Sequence, residues 1–309
     1  MNGKNAKKTY DVLVVGSANA DLTVRVGRRP EAGETVLGSD LVESPGGKGA
    51  NQAAAAARLG IRTALLAKVG DDAYGELVLA GQRASGAEVR HVVVEKGART
   101  GTAMIVVGAD GDNSIVVSPG ANAHLSPADV RASREVIADS AVVSLQLEIP
   151  GETVREAVRV AAETATRVVF NPSPAPAGDL DPELLAAADP LVVNEHEARL
   201  ISGLRQAEAH EWAGELRKLG ARSVVVTLGG RGALVLDAGD DESVPVPGVP
   251  AEVVDTTGAG DAFTGALAGR LAAGDSLLEA ARFAVRVGAA AVARSGAQPS
   301  YPTLSELPG

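Results

Sequence analysis

Asp255-Thr256-Thr257-Gly258-Ala259-Gly260-Asp261 is the stretch of this chain best suited to chemistry. Small residues with approachable backbone N–H groups precede an acid, and the apolar, small-residue run Ala266 to Ala273 follows. The first N–H groups of a helix lack internal partners and the macrodipole is positive there, so such a start can accept an anion. Glycine lets a phosphate approach the backbone where a Cβ would obstruct it. An acid beside that site opposes ground-state phosphate binding, yet it is apt for taking a proton from a hydroxyl that attacks a phosphoryl group. Taken alone, the same residues also read as the glycine-punctuated start of a buried helix.

Two other phosphate signatures are missing from the sequence. A dinucleotide fingerprint needs G-x-G-x-x-G, and a P-loop needs Gly-Lys followed by Ser or Thr. Here the spacing is Gly258-x-Gly260-x-x-x-x-Gly265, and the pairs Gly3-Lys4 and Gly47-Lys48 are followed by Asn5 and Gly49.

Other stretches could hold a ligand. Gly46-Gly47-Lys48-Gly49-Ala50-Asn51-Gln52 offers close backbone approach, with donors at Lys48 and Asn51 suited to sugar hydroxyls. It is equally a glycine-rich helix start with a solvated lysine. Asn19-Ala20-Asp21 lies just past the first strand, where ligands bind in open parallel sheets, although Asx residues also form turns. Glu148 closes the apolar run Val142–Leu147. Asn194-Glu195-His196-Glu197 follows Leu191-Val192-Val193; Glu197 could orient Mg²⁺ or its waters, or simply suit a helix N-terminus. Thr227-Leu228-Gly229-Gly230-Arg231-Gly232 could set backbone against a nucleotide or merely turn the chain.

These residues need a frame to hold them. The 309 residues are 45% hydrophobic but only 2% aromatic, so Ala, Val and Leu must fill the core. The net charge of −10 argues against nucleic acid as a partner. With no cysteine, disulfides, thiolate catalysis and Cys-ligated zinc are excluded, and the four histidines show no metal-ligand spacing. The polar, basic residues 1–9 read as a loose tail and no apolar run spans a membrane, so the expected location is the cytoplasm.

Val12–Gly16 reads as a buried parallel strand, 22–26 and 35–44 as exposed antiparallel strands, and Gly49–Leu59 as a helix closed by Gly60. A strand is expected at 62–69, a helix at 73–85, and a hairpin of 102–107 and 113–118 turning at 109–112. Helices are then expected near 127–138, 151–163, 195–202, 206–219, 259–273 and 276–294, and strands at 141–145, 167–171, 190–193, 222–227 and 232–236. This alternation predicts a single α/β domain, 1–309, with a mainly parallel sheet between helical layers. The β-rich segments near 20–45 and 98–120 fall outside the alternation and suggest a small projecting lid.

The chain resembles the ribokinase-like (PfkB) carbohydrate kinase family over residues 10–302. The resemblance rests on Gly16–Asp21, Gly46–Gln52, Gly70–Gly75, Thr100–Ala103, Gly120–Ala123, Asn194–Glu197, Asp255–Asp261 and Gly296–Ser300, in that order. It implies a three-layer sandwich with a β lid, and ATP-dependent phosphorylation of D-ribose at O5, or of a related sugar such as 2-deoxyribose. It further implies that Asn19, Asp21, Gly47, Lys48, Asn51 and Glu148 hold the sugar. Gly258, Ala259 and Gly260 would form the anion hole, with Asp261 as general base. Asn194 and Glu197 would belong to the Mg·ATP region, and Thr227, Gly229 and Gly232 would lie beside the nucleotide. A monovalent cation, usually K⁺, would be held by Asp255, Thr257, Ala291, Arg294, Gly296 and Ser300. Homodimers through the lid sheets are also implied. Relatives often place His or Asn near the adenine where Val285 falls, so no polar contact is assigned there. A nucleoside kinase is disfavoured because no sugar motif contains an aromatic residue, and a non-catalytic sensor because Asp261 is present.

Overall fold

The inner strands of the main sheet are apolar at successive residues, so both faces of the sheet must be covered. The computed structural model describes residues 8–109, 113–176 and 178–307. The turn expected at Asp110-Gly111-Asp112 and most of the expected tail lie outside them.

The chain opens with β1 (Tyr10–Val15), β2 (Asn19–Arg25), β3 (Val42–Gly46) and α1 (Lys48–Arg58). Next come β4 (Thr63–Leu66), β5 (Lys68–Gly70), α2 (Ala73–Ser85), β6 (Val93–Glu95), β7 (Gly101–Val107) and β8 (Asn113–Ser118). Helices α3 (Pro127–Ala132) and α4 (Arg134–Ala138) lead into β9 (Ser140–Leu145), α5 (Gly151–Glu163) and β10 (Arg167–Phe170). Then follow α6 (Pro182–Ala187), β11 (Ala188–Asn194), α7 (Glu195–Ser202), α8 (Ala209–Lys218) and β12 (Val224–Thr227). The last elements are β13 (Gly232–Leu236), β14 (Val244–Pro247), α9 (Ala259–Ala272) and α10 (Leu277–Ala291).

Eight strands form the main sheet in the order β14-β13-β12-β11-β10-β9-β1-β4. The six from β12 to β4 run parallel, while β13 and β14 are antiparallel additions at one edge. Alternate residues divide between two cores: Val12, Val14, Val142 and Val225 join one with α9 and α10, and Leu13, Val15, Val143 and Val226 join the other with α5 and α8. A second sheet, β3-β2-β7-β8, forms the lid.

Helix α9 explains how a core poor in aromatics is closed. It packs between α1 and α10 and is buried almost all round, so small residues must line its contacts. A Cβ on Gly265 would lie 2.4 Å from the Gln52 carbonyl oxygen, and one on Gly269 would lie 1.9 Å from Ile61. The alanines of α1 provide the matching surface.

Several elements differ from the sequence reading. The strand expected at 35–44 forms only from Val42; upstream, Gly38 makes a single bridge to Val26. Strand β2 begins at Asn19, before the expected start at 22, and is antiparallel to β3 but parallel to β7; Leu22, Thr23 and Val24 are half-buried rather than exposed. The stretch 62–69 divides into β4 of the main sheet and β5, which pairs with β6. The helix expected at 127–138 breaks at Ser133, whose hydroxyl bonds the Asp129 carbonyl at 3.0 Å.

Candidate active site

Helix α9 begins at Ala259, and its N-cap, Gly258, stands in the left-handed region at φ 73° with no side-chain cap. A Cβ there would also meet the Tyr301 hydroxyl at 2.4 Å. That hydroxyl donates to the Gly258 carbonyl at 3.2 Å and so fixes the turn. Ala259 N–H is taken by the Thr256 carbonyl (3.2 Å) and Ala262 N–H by the Gly258 carbonyl (2.9 Å). The N–H groups of Gly260 and Asp261 have no hydrogen-bond partner among the described residues. Of the three residues expected to form the anion hole, Ala259 thus spends its N–H on closing the turn.

Asp261, in the first turn of α9, is 7% exposed. Asn51 Nδ2 donates to its Oδ2 at 3.0 Å and Gln52 Nε2 to its Oδ1 at 3.3 Å. Burial pushes the carboxyl up, while Lys48 and the two amides favour its charged form. For Lys48 the balance is reversed: burial opposes the ammonium, but Asp261, Glu148 and Glu197 outweigh it and hold its pKa above the usual value.

The expected sugar residues converge beside this acid, where β1 and β9 end and the lid begins. Gly46 and Gly47 allow the approach, since a Cβ on the first would fall 2.1 Å from Asp21 Oδ2 and on the second 2.7 Å from the Asn19 nitrogen. Asn19 Oδ1 accepts from Asn122 Nδ2 at 2.7 Å, which turns the Asn19 amide nitrogen away from Asn122. Burial, then the charges of Glu148 and Asp261, push the Asp21 carboxyl up to about 7. Glu148 Oε2 accepts from the Ser17 hydroxyl (2.6 Å) and from Lys48 N–H (3.1 Å), so it also anchors the start of α1.

On the other side of α9 lies a mainly apolar cleft of about 390 Å³, lined by Thr227, Gly229, Gly232, Phe263 and Val285, among others. A polar pocket of about 200 Å³, lined by Lys48, Asn194, Glu197, Gly258 and Asp261, shares Thr227 and Gly260 with it. Asn194 and Glu197 cap α7 reciprocally: Asn194 Oδ1 accepts from Glu197 N–H (2.8 Å) and Glu197 Oε2 from Asn194 N–H (2.9 Å). The capping and ligand readings of these residues are therefore compatible, because each carboxylate oxygen has more than one acceptor site.

Asp255 does not cap α9. Its Oδ1 accepts from Thr257 N–H and its Oδ2 from Gly296 N–H, both at 2.9 Å, tying the loop before α9 to the loop after α10. Burial raises the Asp255 pKa, but these hydrogen bonds and Arg25 outweigh it and leave the group more acidic than usual. Among the other expected cation ligands, Ala291 is buried at the end of α10 and the Ser300 hydroxyl donates to the Ala297 carbonyl at 2.8 Å. The Arg294 side chain points away, pairing with Glu306 at 2.9 Å, so it could serve only through its backbone.

Several residues of the site carried no assignment from sequence. Gln52, Asn122 and Gln298 sit inside stretches that the family resemblance covers, which was the available signal. Asn171 and Gln146 lie just past the carboxyl ends of β10 and β9, where position alone marks them. Nothing in the local sequence marked Tyr301 or Ser144.

An acid in the first turn of a helix with open N–H groups, with an apolar cleft on one side and a wall of amides and carboxylates on the other, is the arrangement of a small-molecule kinase. The family model for "pfkB family carbohydrate kinase" matches residues 9–304. A ribokinase of Bacillus subtilis (strain 168) is 41% identical over 298 residues, covering 96% of this chain and 98% of its own. A deoxyribokinase of Salmonella typhi is 34% identical, covering 96% and 97%. The structure of Arabidopsis thaliana ribokinase complexed with ribose and ATP superposes with a TM-score of 0.86 at 32% identity, covering 96% of this chain and 97% of that one. The chain belongs to the pfkB family of carbohydrate kinases.

Proposed function

We propose that this protein transfers the γ-phosphoryl group of ATP to O5 of D-ribose, giving D-ribose 5-phosphate. The observation that carries this reading is the placement of Asp261, buried where the sugar wall and the polar pocket meet beneath two free helix N–H groups. Asp261 takes the proton from the sugar hydroxyl. The N–H groups of Gly260 and Asp261 receive charge on the transferring group, and Lys48 adds a positive charge to the same pocket. Thr227, Gly229, Gly232 and Val285 border the nucleotide, with Val285 giving adenine an apolar wall. Mg²⁺ would find hard oxygen ligands near Glu197 and Asn194 and would neutralise phosphate charge. The whole chain acts as one kinase domain whose lid covers the sugar, pairs with a second lid in a homodimer, and works in the cytoplasm.

Ribose is favoured over 2-deoxyribose because Asn19, Asp21 and Asn51 supply more hydrogen-bonding capacity than a deoxy sugar uses. The test is ATP consumption over ribose, 2-deoxyribose, fructose and a panel of nucleosides, with Asp261→Asn in parallel. That variant should keep sugar affinity within a few-fold and lose about 10² to 10⁴ in kcat. More than a tenth of wild-type kcat in the variant would remove Asp261 as base. Equal kcat/KM for ribose and 2-deoxyribose would shift the assignment to the deoxy sugar.

K⁺ activation belongs to the same reading. An ionised Asp255, hydrogen-bonded to Thr257 N–H and Gly296 N–H, braces the turn that carries the anion-accepting N–H groups. A cation held by Asp255 and the carbonyls of Thr257, Ala291, Arg294, Gly296 and Ser300 would stiffen it. Initial rates at fixed ionic strength should rise as K⁺ replaces tetramethylammonium, and the rise should vanish in Asp255→Ala. Equal rates in both salts would leave Asp255 as a loop brace only.

A further inference from the structure

We infer that Gln52 is a positioning residue for Asp261, its amide held in one orientation by a buried rack of side chains so that an N–H always points at Asp261 Oδ1. This rests on the proposed role of Asp261 as base and extends it to the groups behind it.

Gln52 is fully buried in a helix whose next five residues are all alanine or arginine-flanked alanine, so a polar side chain there needs a reason. Its Nε2 donates to Asp261 Oδ1 and to Asn171 Oδ1, both at 3.3 Å. Its Oε1 accepts from the Ser144 hydroxyl at 2.8 Å and from Gln146 Nε2 at 2.5 Å.

The chain of donors runs one way. The Val192 carbonyl can only accept, so Asn171 turns Nδ2 toward it, at 2.9 Å. Asn171 Oδ1 is then left facing Gln52 and demands a donor. Turned over, Gln52 would set its oxygen against two acceptors, Asn171 Oδ1 and Asp261 Oδ1, and its nitrogen against the Gln146 nitrogen. The main sheet, through β9, β10 and β11, thereby dictates that Gln52 presents N–H to the acid. Asn51 does the same for Oδ2, and its own Oδ1 is engaged by Gln298 Nε2 at 3.1 Å. Both oxygens are pinned in direction, yet each keeps an acceptor site for the sugar proton.

A donor aimed at a carboxylate favours its charged form, which is the form a base must have. The charged or titratable groups that share this environment are Lys48 on α1, Asp21 on β2, Glu148 past β9 and the Tyr301 phenol, with Glu197 on α7 acting on Lys48. All are present unchanged when Gln52 is replaced, so a shift seen in a Gln52 variant is referred to the same background. The competing reading is that the rack only satisfies buried polar groups joining α1 to the sheet. Such a role would lower Tm without moving the pH dependence of the reaction.

The experiment measures kcat and kcat/KM for ribose across pH 5 to 9 at saturating MgATP for wild type, Gln52→Met, Gln146→Met and Asp261→Asn. Met keeps the length of Gln but offers no amide. Q52M should lower kcat by about tenfold or more with ribose KM within about threefold, and should move the acid limb of the profile to higher pH. Q146M leaves Gln52 in place but removes one of the two donors on its oxygen, leaving Ser144, so a smaller shift in the same direction is expected; it serves as the test if Q52M does not fold. An acid limb coincident with wild type in the folded variant overturns the inference. If D261N is also nearly inactive, only the role of Gln52 falls; if D261N retains more than a tenth of wild-type kcat, the reading of Asp261 itself fails.

Discussion

Asp21 carries a cost that the fold accepts for the sake of the site. Its carboxyl is buried beside Glu148 and Asp261, which raises its pKa from 3.8 to about 7. Between those two values the folded protein binds the proton more tightly than the unfolded chain does. Its contribution to stability is therefore fully present below pH 4 and is lost as pH rises toward 7. Asp21→Asn removes the charge and keeps the shape. Its Tm should exceed that of wild type by a margin that grows from pH 4 to pH 8, while its ribose KM should rise on the proposed role of Asp21 in holding the sugar. A margin independent of pH would mean that the Asp21 charge is not what the fold is opposing. The placement of Asp21 and Asn19 at the site was legible because both follow a strand end within three residues of one another. Those of Gln52 and Asn122 were not, because each acts on a side chain distant in sequence, and spacing says nothing about which distant amides meet.

At the scale of elements, α9 has two kinds of glycine, and they should fail differently. Gly265 lies against α1, where a Cβ would sit 2.4 Å from the Gln52 carbonyl oxygen, a backbone atom that cannot swing aside. Gly265→Ala must push the two helices apart, and overpacking of this kind typically costs about 1–3 kcal/mol. Because Asn51 and Gln52 ride on α1 and Asp261 on α9, kcat should fall with Tm. A Cβ on Gly260 meets nothing within 4 Å and needs no special backbone angle. Gly260→Ala should leave Tm equal or slightly raised, since Ala is the better helix former by about 1 kcal/mol. It should still lose activity, because in the proposed mechanism the phosphoryl group approaches where the methyl group would stand. Thermal melts and kcat for the pair check this, and a stable, fully active Gly260→Ala would place the phosphoryl group elsewhere. Sequence alone gave α2, α5 and α7 to the residue, because Asp72, the Pro150-Gly151 junction and the Asn194–Glu197 box mark their starts. It gave no sign of β14, whose Val-Pro-Val-Pro reads as a strand breaker and is tolerated only at the sheet edge. It also passed over α6, although Asp181 and Pro182 form a legible helix start.

At the scale of the whole molecule, the lid is the part least complete within one chain. Register places Val117 across from Ala103 and hence on the face that carries Asp21; Val42 and Ile115 flank Thr23 and Ile105 on the same face. At its Asp21 end that face is buried, with Asp21 at 9% and Ala103 at 6% exposure, but farther out Val42, Ile115 and Val117 are 59%, 50% and 44% exposed. All six residues of the edge strand β8 are exposed. An apolar face ending in an open edge strand is a surface that natural proteins normally cover. A second copy offers the same face by two-fold symmetry, so each lid could seal the other and dry the mouth of the sugar site. Sedimentation velocity at tens of micromolar should find the wild type dimeric, and Ile115→Lys combined with Val117→Lys monomeric. These residues lie outside the sugar wall, so the monomer should keep its fold and its Tm within a few degrees. Its ribose KM should rise, because a lid without its partner admits water to the groups that bind the sugar. A wild type that sediments as a monomer would remove the dimer from this account, and a monomeric variant with unchanged KM would separate assembly from catalysis.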